Sequence, residues 1–324
     1  MTCGGHKVFV DFSVKTGMPN GEKFSVLRCA DCGFGWTSPR LSDSDIQLWY
    51  PPTYYGQHNV RFTSAIEYLV RFLGHHRAKA VERHSTPGPA LDVGCGRGCT
   101  LAALRTMGYQ PFGVELNETA AWEAQHLFKI DVSTGDFLKT PYDADQFNVI
   151  IFWHSLEHFS QPSLAIRHAH KLLKPGGLLV VAVPNSESVQ ASWFRGHWFH
   201  LDIPRHYFHF GTRSLHALLN NNGFRIMKTS HLSLEQSPFG WLQSAYNAMG
   251  MEQNLLYSLL KNKTSRAMSM RTHPWQAMVI IFAAPILLPF AFLMTCIETA
   301  LGRGGAIDVY AVKHLRTHCR TDRN

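Results

Sequence analysis

The eight residues Leu91-Asp-Val-Gly-Cys-Gly-Arg-Gly98 limit what this chain can fold into more than any other stretch. Pro87, Gly88 and Pro89 end whatever precedes them, and residues 90–93 suit a short buried strand. Three glycines at alternate positions then turn the chain tightly, and the missing Cβ atoms let a ligand lie against the main chain. The helix predicted over residues 99–107 aims its positive end at the same spot. Many nucleotide-binding folds use such a strand, glycine turn and helix, so the surroundings decide what the turn holds.

Those surroundings alternate strand and helix. Strands are predicted at residues 112–115, 130–133, 147–153, 178–183 and 224–229. Between them, Asn117 caps a helix, Pro162 opens one, and Thr212 caps another that Gly223 closes. This order gives an α/β, doubly wound, mainly parallel sheet covered on both faces. Residues 307–313 alternate apolar and polar like a seventh strand, antiparallel or at an edge.

The hydride-transfer fingerprint is Gly-x-Gly-x-x-Gly, whereas this chain has Gly94-x-Gly96-x-Gly98 and then Cys99 where the third glycine would stand. Asp92 lies two residues before the first glycine. A carboxylate there suits the ammonium end of an amino-acid cofactor better than a pyrophosphate, which favours S-adenosyl-L-methionine over a nicotinamide dinucleotide. Glu115 ends the second strand, 23 positions after Asp92, where a carboxylate can take both hydroxyls of a ribose.

With these residues in place, residues 88–230 resemble the class I S-adenosylmethionine-dependent methyltransferases. The resemblance rests on the 91–98 motif, Glu115, Gly135-Asp136, Trp153-His-Ser-Leu-Glu-His158 and Leu173-Lys-Pro-Gly-Gly177. It implies that Asp92, Gly94, Gly96 and Gly98 contact the methionyl part, Glu115 the ribose, and Asp136 with Phe137 the adenine. Cys95, Leu116 and Trp153 complete the implied cofactor-binding set. Asn148 departs from the aspartate usual in the family, but at the far end of the strand, where cofactor contact should survive. The whole assembly looks closest to a bacterial subgroup with a Cys-x-x-Cys-Gly element before the domain and a His-Leu-Asp-x-Pro-Arg-His segment after the fifth strand. Members of that subgroup often act in, or sit beside, pathways for cell-surface saccharides and lipids.

Methyl transfer is an in-line displacement at a sulfonium. The enzyme must hold a nucleophile at the methyl group and remove a proton if that nucleophile is a hydroxyl or an acidic carbon. Histidine suits the proton step near neutral pH. His154 and His158 follow the fourth strand, and His206 lies in a lid at 184–211 that leaves the edge of the sheet where ligands bind. These three are the catalytic candidates. His200 and Arg205 are the substrate candidates, with Arg205 suited to an anionic group. With 19 histidines in the chain, most are ordinary packing or surface residues. His197, His200, Asp202 and His206 are also metal-ligand types, but the resemblance favours a substrate lid.

At the N-terminus, Cys29-Ala-Asp-Cys32-Gly33 offers two thiolates to a structural zinc. Either Cys3 and His6 supply the other ligands, or Cys3 belongs to a Cys-x-x-Cys pair whose first half precedes the start of this chain; unliganded cysteines in a loop are the third reading. Residues 8–12 and 24–28 are expected to form a hairpin carrying this knuckle, followed by an aromatic and proline-rich strap over another part of the fold. The seven cysteines, odd in number and irregularly spaced, argue for a reducing, cytoplasmic setting.

Residues 277–297 carry no charge and are long enough to span a bilayer. If residues 307–313 join the sheet, the tail must return to the side it left, which excludes a single crossing. A helical hairpin with residues 239–260 remains, lying on or dipping into a membrane, with Arg266, Arg271, Arg303, Lys313 and Arg316 toward anionic headgroups. A buried helix pair serving a homodimer is the competing reading.

The expected organisation is a zinc-ribbon-like element and strap at 1–56, a linking helix at 57–87, the methyltransferase core at 88–235, an apolar helical insertion at 236–305, and a last strand with a basic tail at 306–324. The expected function is methyl transfer from S-adenosyl-L-methionine to oxygen or carbon of a small or lipid-linked acceptor. An RNA or protein methyltransferase and a non-catalytic binding module are the rivals. The net charge of +8 supports the first rival, but the basic residues are thinly spread and the lid has no Lys/Arg tract, so nucleic acid is not expected.

Overall fold

The computed structural model describes residues 7–15, 23–42, 45–46, 48–49 and 64–314. Three N-terminal strands come first: β1 (Val8–Lys15), β2 (Lys23–Cys29) and β3 (Gly35–Ser38). The linking helix α1 (Ser64–Glu82) leads into β4 (Pro89–Val93), α2 (Cys99–Thr106), β5 (Gln110–Glu115), α3 (Glu118–Phe128) and β6 (Asp131–Thr134). The second half runs β7 (Phe147–Trp153), α4 (Pro162–Leu172), β8 (Leu173–Pro184), α5 (Val189–Phe194), β9 (Phe208–His209), α6 (Thr212–Asn221) and β10 (Phe224–Ser230). Four helices follow, α7 (Ser237–Ala248), α8 (Leu255–Leu260), α9 (Lys263–Thr272) and α10 (Pro274–Ala300), and β11 (Ala306–Lys313) is last.

The central sheet has the order β10-β11-β8-β7-β4-β5-β6. The β8-β7-β4-β5-β6 part is parallel, and β11 inserts antiparallel between β8 and β10, with Ile307 opposite Val183 and Val309 opposite Val181. Successive side chains on a strand point to opposite faces. Leu91, Val93, Ile150, Phe152, Leu179 and Val181 therefore build one core with α4 and α6, while Ala90, Val149, Ile151, Leu178 and Val180 build the other with α1 and α2. Burial on both faces is why 147–153 reads as an unbroken apolar run.

One local reading changes. Gly211, rather than Thr212, caps α6, and the Ser214 hydroxyl accepts from its N–H at 3.0 Å. Helix α10 runs through both Pro285 and Pro289.

The N-terminal strands pair with the lid instead of standing apart. The order is β1-β2-β3-β9, with Gly35 opposite His209 and Trp36 opposite Phe208. Phe34 stacks on Phe208 at 5.3 Å, and Arg28 donates to the Ser186 hydroxyl at 3.2 Å. The start of the aromatic strap is thus the strand that holds the lid; residues 50–63 fall outside the described residues.

Candidate active site

The glycine turn lies where the sequence places it, between β4 and α2. Gly94, Gly96 and Gly98 have φ of +79°, +53° and +76°, left-handed conformations that favour glycine. Each has its own surroundings. A Cβ on Gly94 would come within 2.8 Å of Ser155 Cβ, and one on Gly98 would press on Ala124, whereas one on Gly96 would meet nothing within 4 Å among the described residues. The open side of the turn is therefore at Gly96.

The two acidic residues flank that opening. Asp92 is 4% exposed, and its Oδ1 has no hydrogen-bond partner among the described residues. Burial pushes its carboxyl up to about 7; Arg77 pulls it down and Glu115 pushes it further up. Glu115 accepts from the Gly96 N–H at 2.8 Å and the Asn117 N–H at 2.9 Å, and burial raises it too. Asp136 caps a short helical turn by accepting from the Leu138 N–H at 3.0 Å.

These features fit S-adenosylmethionine. The orphaned Asp92 oxygen can take an ammonium group, Gly96 leaves room for close approach, and Glu115 keeps lone pairs for ribose hydroxyls. Leu116 is exposed beside Glu115. Cys95 is partly buried against Gly113, and its thiol is pushed well up by burial and by Asp92 and Glu115, so it is a wall of the site and no nucleophile. Trp153 lies under the Arg77 guanidinium at 5.2 Å. Phe137 departs from the reading that puts it on adenine. Its ring is 2% exposed and packs edge-on against Phe152 and Phe159, which leaves only its main chain for the cofactor.

The three catalytic candidates gather around a residue that was not singled out in the sequence. Glu157 is 1% exposed, and neither carboxylate oxygen has a hydrogen-bond partner among the described residues. Its Oε1 lies 3.6 Å from His154 Nδ1 and 3.9 Å from His206 Nε2. The His158 and His206 rings meet edge to face at 4.6 Å. Glu157 stood in plain view in the Trp153 to His158 motif; the His-x-x-Glu-His spacing was its signal. His154 itself has φ of +51°, uncommon for a residue with a Cβ and frequent at functional sites.

Hydrogen bonds fix the ring states. His206 Nδ1 lies 2.9 Å from the His200 carbonyl, which only a protonated nitrogen can meet, so Nε2 carries the lone pair of the neutral ring. That Nε2 faces Glu157 and, at 3.7 Å, Asp202. Burial, then His158, keeps the His206 pKa well below 6.5. His158 Nδ1 meets the Arg205 carbonyl at 3.0 Å in the same way.

The substrate candidates fare differently. His200 is buried, donates from Nε2 to the Gln236 carbonyl at 3.1 Å, and packs against Trp198 and Phe199. Burial lowers its pKa to about 4, and it is a packing residue whose carbonyl orients His206, not a substrate contact. Arg205 forms an ion pair with Asp202. The set His197, His200, Asp202 and His206 is not assembled around one point; Glu157, His158 and His206 are, with donor atoms within 4.8 Å of one another. Of the zinc candidates, Cys29 and Cys32 are buried at the end of β2, where Gly33 turns back to the Cys29 carbonyl at 3.0 Å. Cys3 and His6 lie outside the described residues.

Comparison with known proteins finds methyltransferases among the similar sequences. Among curated proteins, a ubiquinone biosynthesis O-methyltransferase of Pseudomonas syringae is 34% identical over 101 residues, 29% of this chain and 44% of that protein. A 37.1 kDa protein of a Streptomyces fradiae transposon is 26% identical over 184 residues, 51% of this chain and 50% of its own length. The chain thus spans half or less of these relatives. Among solved structures, a methyltransferase from Archaeoglobus fulgidus is 20% identical with a TM-score of 0.48, over 75% of this chain and 94% of that one. The model of the methyltransferase domain family matches residues 61–229, more than half of the 324 residues. That match makes this chain a member of the methyltransferase domain family.

Proposed function

We propose that this enzyme methylates an oxygen, or else an acidic carbon, of a small or lipid-linked acceptor, with His206 as the base. The observation that carries the proposal is the buried Glu157 carboxylate, without a hydrogen-bond partner among the described residues, facing the lone-pair nitrogen of His206. S-adenosylmethionine, when bound, supplies an electrophilic methyl group on a sulfonium. Asp92 holds the ammonium end, Glu115 the ribose and Asp136 the adenine side. Gly94 packs against Ser155, so the cradle and the histidine cluster share a wall. His206 takes the acceptor proton at Nε2, and Glu157 and Asp202 stabilise the imidazolium that forms. The lid, braced by β3, keeps water from the reacting atoms.

An oxygen acceptor is favoured by the O-methyltransferase relative, and a surface saccharide or lipid precursor by the subgroup resemblance. The test is release of S-adenosylhomocysteine with phenols, sugar hydroxyls and lipid-linked hydroxyls, with the product identified by mass. Transfer to RNA or protein with none to these acceptors would replace the proposal. Tight cofactor binding without turnover on any acceptor class would make the chain a binding module.

A second reading follows from the 4.8 Å grouping of Glu157, His158 and His206, a carboxylate and imidazole donor set of the kind that holds a divalent cation. It predicts loss of activity to a chelator and recovery with added metal, whereas the base reading predicts neither. We also propose a structural zinc on Cys29 and Cys32 with Cys3 and His6; elemental analysis should find one zinc per chain, lost in Cys32→Ser.

A further inference from the structure

We propose that the outer face of α10 is a monotopic docking surface for an anionic lipid bilayer, a role independent of the acceptor proposed above. The helix is 27 residues long and its most apolar 18-residue window has a mean hydropathy of 2.5, yet only 22% of that window is buried. Trp275, Phe282, Ile286, Phe290, Leu293 and Ile297 recur at helical spacing along its open side and are all exposed. At 1.5 Å per residue this stripe is about 33 Å long.

The opposite side is fixed to the protein along its whole length, so the helix does not cross. Ala277, Ile280, Ala291 and Met294 pack with Trp241 and Tyr246 of α7, and the Tyr246 hydroxyl donates to the Ile280 carbonyl at 3.3 Å. At the far end, the buried Glu298 accepts from Gln190 and from the Gly305 N–H, both at 2.9 Å, one residue before β11 enters the central sheet. Both ends of α10 therefore stay on one side, and its apolar stripe lies parallel to whatever covers it.

Charge identifies the occupant. Between Glu252 and Glu298 the chain has no acidic residue, but it has Lys261, Lys263, Arg266 and Arg271. Lys263 and Arg271 are exposed on α9, next to the entry of α10. Arg303 and Lys313, by contrast, are held within the fold by Glu187, Ser192 and Asp145, so they do not belong to this rim. Anionic headgroups complement such a rim. A second copy of this chain would bring no carboxylate from the same segment to meet it.

The test is flotation of the full chain with mixed phosphatidylglycerol and phosphatidylcholine vesicles and with phosphatidylcholine alone. The protein should float with the anionic vesicles and partition about tenfold less to the neutral ones. Phe282→Glu with Ile286→Glu should abolish flotation, and Lys263→Glu with Arg271→Glu should reduce it about tenfold or more. These positions are exposed, and S-adenosylmethionine binding by calorimetry checks that the variants fold. No flotation of the parent chain, or flotation unchanged by the apolar pair, overturns the proposal. So does a lipid-free dimer that becomes monomeric in the apolar pair without vesicle binding.

Discussion

Glu157 Oε1 and His206 Nε2 lie 3.9 Å apart, buried, with no hydrogen bond between them. That gap leaves the imidazole nitrogen open to an acceptor proton and keeps a carboxylate close to the charge that develops. At an effective dielectric of about 20, unit charges at this distance attract by about 4 kcal/mol. The loop after β7 and the lid each supply one partner, so the pair exists only when the lid is seated.

Glu157→Gln should lower kcat about 10- to 100-fold while KM and cofactor affinity stay near the parent values. The pH profile separates this from a packing defect. His206 is neutral because burial lowers its pKa, so the acid limb of kcat should lie below pH 6.5. Removing the anion disfavours the imidazolium further, and the limb should move to still lower pH. A limb that stays in place removes Glu157 from the proton step.

His206→Ala should cost about 10²- to 10⁴-fold in kcat with cofactor affinity unchanged, and it should abolish the acid limb. Full turnover would move the base to His154 or His158.

The central sheet was legible because both of its faces are buried, and its strands read as apolar runs ended by Gly, Pro or Asn. The cofactor cradle was legible because left-handed turns demand glycine and leave it at fixed spacing. Glu157 and the lid contacts were not, since a buried carboxylate acquires its meaning from residues nearly fifty positions away in the chain. Phe137 and His200 misled for a related reason. An aromatic ring or an imidazole looks the same in sequence whether it faces a ligand or fills a core, and in this fold both fill the core.

Gly96 and Gly94 should respond differently to alanine. Both sit at positive φ, which costs an alanine about 1–2 kcal/mol. At Gly96 the added carbon enters the opening, so cofactor affinity should fall with little further loss of stability. At Gly94 it meets Ser155 at 2.8 Å, so Tm should drop more than in Gly96→Ala. Equal calorimetric and thermal effects in the two variants would contradict the assignment of the open side.

Cofactor affinity should depend on the Asp92 proton. With its carboxyl raised to about 7, the free enzyme below that pH must lose a proton before it pairs with an ammonium group. Affinity should therefore fall about tenfold from pH 8 to pH 6, about 1.4 kcal/mol in all, as the ionised fraction of Asp92 drops from roughly nine tenths to roughly one tenth. In Asp92→Asn it should be weaker and flat over that range. Stability has the opposite sign. A folded pKa raised above the unfolded 3.8 gives stability that is full below 3.8 and lost as pH rises through about 7. The ligand-free Asp92→Asn chain should accordingly melt higher than the parent at pH 8 and about level with it at pH 4. A parent affinity that does not change between pH 8 and pH 6 would remove Asp92 from the ammonium site.

Thr37 on β3 ties the N-terminal strands to the base. Its hydroxyl donates to the His206 carbonyl at 2.7 Å and lies 3.0 Å from His209 Nε2. Burial lowers the His209 pKa to about 3, so that ring is neutral at physiological pH, and because the Thr37 hydrogen goes to the His206 carbonyl, His209 Nε2 carries the proton and donates to the hydroxyl oxygen. Thr37→Val keeps the shape and removes both contacts, which leaves the buried His206 carbonyl without this donor at a cost of about 1–3 kcal/mol. Because that carbonyl belongs to the base itself, kcat should fall several-fold while cofactor affinity holds, and Thr37→Ser should restore most of the rate. A loss of Tm with kcat unchanged would mean that the N-terminal strands stabilise the lid without positioning His206.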